Sequence, residues 1–401
     1  MNEKGKSQKV ASLGEACPLE ARDIVHGLLR GYITFSPITQ PKRKTMNVYT
    51  KQHSYYCGID LHARFMYICI LDSQANIVYH KNHRCTPEHF LKAIAPFRDD
   101  MVVGVECIFC WYWLADLCQT EGIDFILGHA LYMRAIHGVK TKNDRIDSLK
   151  IARLMRGGNF PLAYVYPPKM RATRDLMRRR IHFVRKRAEL IGHIQNTTMQ
   201  YNLEPLGTLS RPHHRRDKDI AGHFPDPVVR LMVETDLKLI DFYDPIIKKL
   251  DQQILKLAKG HDPTSLHLLQ SIRGVGNVLA LTMLYEIHDM GRFPSRGEFC
   301  SYARLVKGQK SSAGKNYGTA GGRIGNAHLR WAFSEAALLY LRGNEQAQKY
   351  YNRLISRHGK GKALTIVAKR LGIAVYYMLR RREPFNEHKF LNNPIMNKQK
   401  L

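Results

Sequence analysis

Acidic residues are what this chain of 401 residues has little of: 34 Asp and Glu stand against 63 Lys and Arg, a formal charge of +29. Such an imbalance argues against an acidic partner-mimic and for a phosphate-rich partner, since each neutralised phosphate releases counterions and so adds affinity. Nucleic acid is the leading candidate. Cysteine is sparse too, with eight scattered along the chain. The one close pair, Cys107 and Cys110, lacks the second pair or His cluster that a zinc site needs. That pattern excludes a disulfide scaffold and leaves reduced core cysteines of a cytoplasmic protein. Long apolar runs are missing as well. The most apolar window, Met101 to Cys118, contains Glu106 and Asp116, so it reads as a strand followed by a helix and not as a membrane span. Lys4 and Lys6 are followed by no uninterrupted apolar stretch, which argues against a secretory signal.

What is present is an ordinary globular composition, 44% apolar and 24% charged, over a length that allows two or more cores. Residues 1–53 lack strong periodicity and contain Pro41-Lys42-Arg43-Lys44, so they are expected to be a loosely attached basic extension, with Met46 a second candidate start. From Tyr55 the pattern becomes strand-like: Tyr56–Ile59, Phe65–Leu71, a turn at Asp72–Asn76, and a short strand at Ile77–Tyr79. Further strands at Met101–Val105 and Asp124–Leu127 alternate with helical stretches, which indicates a mixed α/β domain over 54–167. Over 168–262 two amphipathic patterns are expected to pair as an antiparallel coiled coil, the second starting regularly at Pro245 with Asp244 as its cap. The first pattern holds nine basic residues and one acid, Asp175, between Lys169 and Arg187. Arg178, Arg179, Arg180, Arg185, Lys186 and Arg187 are therefore candidates for phosphate contact. From 263 to 401 the chain turns mainly helical. Arg273-Gly274-Val275-Gly276 forms a helix-hairpin-helix-like turn in which Gly274 and Gly276 could let backbone N–H groups meet a phosphate.

Four carboxylates stand out against the basic background. Asp60 and Glu106 close apolar strands, and Asp144 and Asp147 lie three apart at the start of the helix through Leu149, Ile151 and Leu154. Acids at strand ends and a helix start can converge, and hard oxygen ligands are what Mg²⁺ requires to neutralise a phosphodiester and align its nucleophile. Taken singly, each acid is more often a cap or a surface residue, although Glu106 inside an apolar run is harder to explain in that way. The second unusual segment is the glycine-rich loop Lys310–Gly318, running on through Arg323 to Arg330. A serine hydroxyl among Lys310, Lys315, Arg323 and Arg330 could attack phosphorus while the cations stabilise the developing charge.

Taken together, Gly58-Ile59-Asp60, Gly104-Val105-Glu106, Lys142-x-Asp144-x-x-Asp147, Ile272–Gly276, the Ser312–Arg330 loop and Glu383-Pro384-Phe385 resemble the DEDD insertion-sequence transposases related to the Piv and MooV DNA invertases, the bridge-RNA-guided recombinases. The resemblance spans about residues 55–387. It implies an α/β plus α architecture: a RuvC-like (RNase H-fold) domain whose Asp60, Glu106, Asp144 and Asp147 bind Mg²⁺, a coiled coil, and a helical transposase domain with a serine nucleophile. Counting from Phe299 selects Ser312, whereas counting back from Gly325 could select Ser311. It also implies donor and target DNA as substrates, a structured guide RNA, no membrane association, and a homo-oligomer, dimer or tetramer. The place of action would be the cytoplasm of a bacterium or archaeon, at the nucleoid. Two competing readings are a RuvC-like metal-dependent endonuclease in which Ser312 only binds phosphate, and a non-catalytic nucleic-acid-binding protein whose acids are structural caps. A covalent protein–DNA adduct separates the first from the serine chemistry, and Mg²⁺-dependent strand changes separate the second.

Overall fold

The computed structural model describes residues 47–136, 143–216, 219–320 and 324–392. Most of the basic extension expected over 1–53 lies outside them. Its last part is built into the sheet: Val48–Tyr49 forms an edge strand, β1, paired antiparallel with Phe160–Ala163. The described part of the extension is thus the first strand of the α/β domain, a place that two strand residues are too few to signal by alternation.

The meander expected from Tyr55 is present as β2 (Tyr55–Leu61), β3 (Phe65–Asp72) and β4 (Ile77–Arg84), all antiparallel. Asp72 fixes the β3–β4 turn, its Oδ1 accepting from the Gln74 and Asn76 amides at 2.9 and 2.8 Å. β4 is longer than Ile77–Tyr79, because its polar second half, His80–Arg84, still pairs with β3 while facing solvent. Next come α1 (Pro87–Ile94), β5 (Met101–Glu106), α2 (Tyr112–Thr120), β6 (Asp124–Gly128), α3 (Ala130–Ile136), α4 (Asp144–Arg156) and β7 (Phe160–Ala163). The sheet order is β1-β7-β6-β5-β2-β3-β4, with β2, β5 and β6 parallel in the middle. Alternation divides its core. Cys57, Ile59, Val103 and Val105 meet Phe90 and Leu114 from α1 and α2, and Tyr56, Val102 and Ile126 meet Ile151 and Met155 from α4. Burial on both faces explains why β5 reads as a continuous apolar run.

The coiled coil consists of α5 (Pro168–Gln200) and α7 (Pro227–His261), with the short α6 (Pro212–Arg216) in the connection at its tip. Their antiparallel course follows from the pairs Arg180–Asp251, Arg187–Asp244 and His193–Asp236, in which one index rises as the other falls. α7 does not start at Pro245. It is capped by Asp226, whose Oδ1 accepts from Val228 and Val229, and continues through the proline. Asp244 is an ion-pair partner of Arg187 and Arg215 and caps nothing. Packing of Val229, Val233, Ile240 and Ile254 on α5 outweighs the one hydrogen bond that an internal proline removes.

The remaining elements are α8 (Pro263–Gln270), α9 (Asn277–Ile287), α10 (Arg296–Tyr302), a hairpin of β8 (Gly308–Ser312) and β9 (Lys315–Ala320), then α11 (Ala327–Leu341), α12 (Glu345–His358), α13 (Lys360–Arg381) and α14 (Glu387–Asn392). Their shared core takes in Met170, Met177 and Ile181 of α5 and Ile254 and Ala258 of α7, so the base of the coiled coil is part of the helical domain. No described helix is long and apolar enough to cross a membrane.

Candidate active site

The acids come together where α4 crosses the middle of the sheet. A Cβ on Gly58 would lie 2.4 Å from both the Ala152 nitrogen and the Ser148 oxygen, so only glycine lets the α4 backbone rest on β2. That contact places the first turn of α4 over the end of β2. Asn143 caps the helix through a 2.9 Å bond from the Arg145 amide, and Asp144 follows it. Asp60 and Asp144 converge with His62, their ligand atoms all within 4.8 Å of one another. His62 Nε2 stands 3.3 Å from Asp60 Oδ2 and 3.7 Å from Asp144 Oδ1. Val105, the residue before Glu106, pairs in parallel with Ile59, the residue before Asp60, so the two acids leave neighbouring strands side by side. Asp147 lies one turn into α4 and its Oδ1 accepts from Lys150 Nζ at 2.9 Å. Glu106 and Asp147 flank the group without joining its ligand cluster.

Burial raises the Asp60 carboxyl above its usual range. His62 opposes that rise, while the charges of Asp144 and Asp147 add to it. A cation held between these groups would relieve both the desolvation and the repulsion, and the donor set, mainly carboxylate oxygen, fits a hard divalent ion such as Mg²⁺. His62 was not expected from the sequence. Asp60-Leu61-His62 on one strand direction, with side chains alternating, was the available signal.

The expected glycine-rich loop is in fact a two-stranded hairpin. Ser311 pairs with Asn316 and Ser312 with Lys315, leaving Ala313 and Gly314 as a two-residue turn. Both turn residues have positive φ, +47° and +74°, as a type I′ turn requires. Hydroxyl, amide and lysine groups have no local reason to form strands, so the register depends on the turn and not on an apolar pattern. Ser311 and Ser312 are both exposed and point to opposite faces. Ser312 lies directly across from Lys315 in the register of the hairpin. Lys310 lies on β8, but its side chain is outside the described residues, as is Arg323 altogether; Arg330 is exposed on the first turn of α11.

Residues 57–202 match the DEDD transposase family of IS110 elements, and residues 266–352 match the Transposase IS116/IS110/IS902 family. The two matches together take in more than half of the chain, including Asp60, Glu106, Asp144, Asp147 and the serine hairpin. The chain belongs to the IS110 transposase family. It is similar to the transposase for insertion sequence element IS1111A of Coxiella burnetii, with 22% identity over 82% of this chain and 90% of that protein. It is also similar to y4qE of Sinorhizobium fredii, a chain named provisionally as a transposase, at 24% identity over 57% of this chain and 56% of that one. The α/β part of this IS110-family transposase is its RuvC-like domain.

Next to the start of α11 the transposase buries a charge. Glu286, near the end of α9, is 2% exposed and accepts from Arg178 at 2.7 and 3.0 Å, from Arg174 at 3.1 Å and from Asn326 at 2.6 Å. Burial alone would raise its carboxyl, but these partners hold it down at about 2. Asn326 in turn caps α11, its Oδ1 accepting from His328 and Leu329, and its backbone nitrogen donates to the Tyr302 oxygen. Arg304 Nε donates to the Gly325 oxygen at 2.8 Å, so both ends of the hairpin are fastened to one seat. Nothing in the sequence distinguishes Glu286 within the apolar helix Val278–Ile287 except that it is a lone acid there.

The same geometry corrects the reading of the basic run in this transposase. Arg178 is committed to Glu286, Arg180 to Asp251 through bonds of 2.7 and 3.1 Å, and Arg187 to Asp244. Lys186 makes a surface pair with Glu189 at 2.8 Å. Arg179 and Arg185 are exposed and form no ion pair with a described residue, so they are the members of the set free to meet phosphate. The acids that absorb the others lie far along the chain, on α7 and α9, where counting charge over one window does not reach. The turn before α9 is corrected in part as well. Gly274, at φ +83°, is required because a Cβ there would lie 2.7 Å from the Leu339 carbonyl carbon of α11. Close packing against α11 thus accounts for the glycine, and its backbone N–H remains a candidate for phosphate. Gly276 at the start of α9 faces open space and remains a candidate for phosphate.

Proposed function

We propose that this transposase cuts and rejoins DNA by attack of the Ser312 hydroxyl on a backbone phosphorus, assisted by Mg²⁺ at Asp60, Glu106, Asp144 and Asp147, with His62 beside them. The convergence of Asp60 and Asp144 from β2 and α4 is the observation that carries this reading. A bound divalent ion would supply charge neutralisation at the phosphate. Lys315, opposite Ser312, favours the hydroxyl's ionised form, and Arg330 offers charge for the leaving oxygen. In the step itself, the serine Oγ forms a bond to phosphorus, a DNA hydroxyl leaves, and strand exchange reverses the reaction with a different DNA hydroxyl.

The likeness to the Piv and MooV invertases supports the serine chemistry, and with it a guide RNA and action at the nucleoid in the cytoplasm. A homo-oligomer is supported by α7. Val228, Leu231, Leu239 and Phe242, exposed by 74, 61, 43 and 64%, flank Thr235 at intervals of three, four, four and three. That three-four spacing makes one exposed apolar stripe, which a second copy of the chain could cover. A metal-dependent endonuclease is the second reading, favoured by the convergence of Asp60 and Asp144, which could hold a metal that activates water without any serine.

The test is a denaturing gel for a covalent protein–DNA adduct, formed with cognate DNA, the element's RNA and Mg²⁺. Wild type and Ser311→Ala should give the adduct, whereas Ser312→Ala and EDTA-treated samples should not. Cleaved DNA without an adduct in any lane establishes the endonuclease instead. Duplex binding across a salt series checks the basic run: Arg179→Glu and Arg185→Glu should each lower the salt slope by about 1, while Arg180→Ala should leave it unchanged.

A further inference from the structure

At the C-terminal end of α13 two adjoining cavities, of about 480 and 690 Å³, share Arg296, Tyr377 and Arg381 as a common wall. The smaller has an apolar floor of Met378, Phe385 and Phe390, with Lys389 and Glu383 at its margin. The larger runs past Tyr376 and Arg380 to Ser295 at the start of α10. Glu383-Pro384-Phe385 therefore borders a cavity that the strand-transfer chemistry does not use.

The charges here are arranged unlike the four paired arginines of α5. Arg174, Arg178, Arg180 and Arg187 each have a carboxylate partner. Arg296, Arg381 and Lys389 form no ion pair with a described residue, although Glu383 lies at the same margin. Arg381 is exposed, with its guanidinium 4.9 Å from the centre of the Tyr377 ring. Arg380, by contrast, is spent on structure, donating to the Phe293 oxygen at 3.2 Å and the Tyr376 hydroxyl at 2.6 Å.

An aromatic floor under unpaired guanidinium groups suits a ligand that carries a flat ring and an anion together. A paired duplex does not present the faces of its bases, whereas an unpaired nucleotide does. Two compartments joined at an arginine wall match two successive bases with their linking phosphate between them. We infer that this trough binds unpaired nucleotides of a single nucleic-acid strand, bases lodging on either side of Tyr377 and the phosphate meeting Arg296 and Arg381. The inference rests on the transposase handling nucleic acid and is independent of which serine, if any, attacks.

The test uses the full chain and labelled oligothymidylate and oligouridylate, followed by fluorescence anisotropy across a salt series, with a DNA duplex as control. Tyr377→Leu should weaken single-strand binding by about 5- to 150-fold, the range that stacking one base is worth. Arg296→Glu with Arg381→Glu should lower the single-strand salt slope by roughly 0.7, and duplex binding should hold in both variants. A bromouracil-substituted strand should crosslink to the peptide carrying Tyr377. Tighter binding of the deoxy- or the ribo-strand identifies which strand supplies the nucleotides. Unchanged single-strand binding, a parallel fall for duplex, or crosslinks that miss residues 374–390 would each overturn the inference. Because Arg381 is exposed, its reversal tests the trough even if Tyr377→Leu perturbs the fold.

Discussion

The acid cluster and the serine hairpin of this transposase are built in opposite ways. Asp60, Glu106 and Asp144 are held by three elements whose contacts are buried on both faces of a seven-stranded sheet. Ser312 sits on two strands whose described side chains are exposed, and the segments before and after them are tied together by the bond from Arg304 to the Gly325 oxygen. A metal site needs ligands fixed to within about half an ångström, and a sheet core supplies that from one chain. The hairpin instead presents its serines outward, so if Ser312 attacks as proposed, the groups that complete its surroundings would come with the DNA.

Substitutions can sharpen that contrast. Asp60→Ala should have the largest effect, removing strand transfer while leaving DNA affinity almost intact, because Lys and Arg contacts supply the binding. A gel-shift beside a strand-transfer assay checks both, and normal recombination by this variant would sink the metal-site reading. Next comes the hairpin's seat. Glu286→Ala leaves the mostly buried Arg174 and the half-exposed Arg178 without their anion and should cost up to about 3–5 kcal/mol, read as a lower Tm. The pH dependence has a definite sign. Folded Glu286 stays ionised down to about 2, against an ordinary 4.5, so its stabilisation is complete above pH 4.5 and is lost as pH falls toward 2. Wild type should lose Tm across that window, and Glu286→Gln should show a smaller loss.

Gly58→Ala should be milder, about 1–3 kcal/mol, the usual cost of overpacking. It pushes α4 off β2, so Mn²⁺ binding followed by electron paramagnetic resonance should weaken even where the fold survives. Retained affinity would show that α4 does not set the site. The smallest effect is a gain. Ala313 holds φ at +47°, a conformation that costs a non-glycine residue about 1–2 kcal/mol. Ala313→Gly should therefore slow amide exchange across β8 and β9 without changing metal binding.

Much of the α/β domain was legible because its physics is local. Apolar alternation marked β2 and β3, a polar turn at Asp72–Asn76 marked their link to β4, and acids at a strand end and a helix start marked Asp60 and Asp144, which do converge. Elements defined by distant partners were not legible. β1 exists only because β7 is beside it, the start of α7 at Asp226 overrides Pro245 through packing on α5, and His62 acquires meaning only when Asp144 arrives from α4. Arg178 and Arg180 looked like phosphate contacts until Glu286 and Asp251 came into view.

The two-residue turn at Ala313-Gly314 also bears on how the gene can change. Ser311 and Ser312 face opposite ways, and the turn alone fixes which of them is opposite Lys315. An in-frame codon gained or lost there would change which β9 residue stands opposite Ser312, whereas many codon replacements on β9 would leave the register alone. Length, more than composition, is the quantity this stretch of coding sequence has to keep.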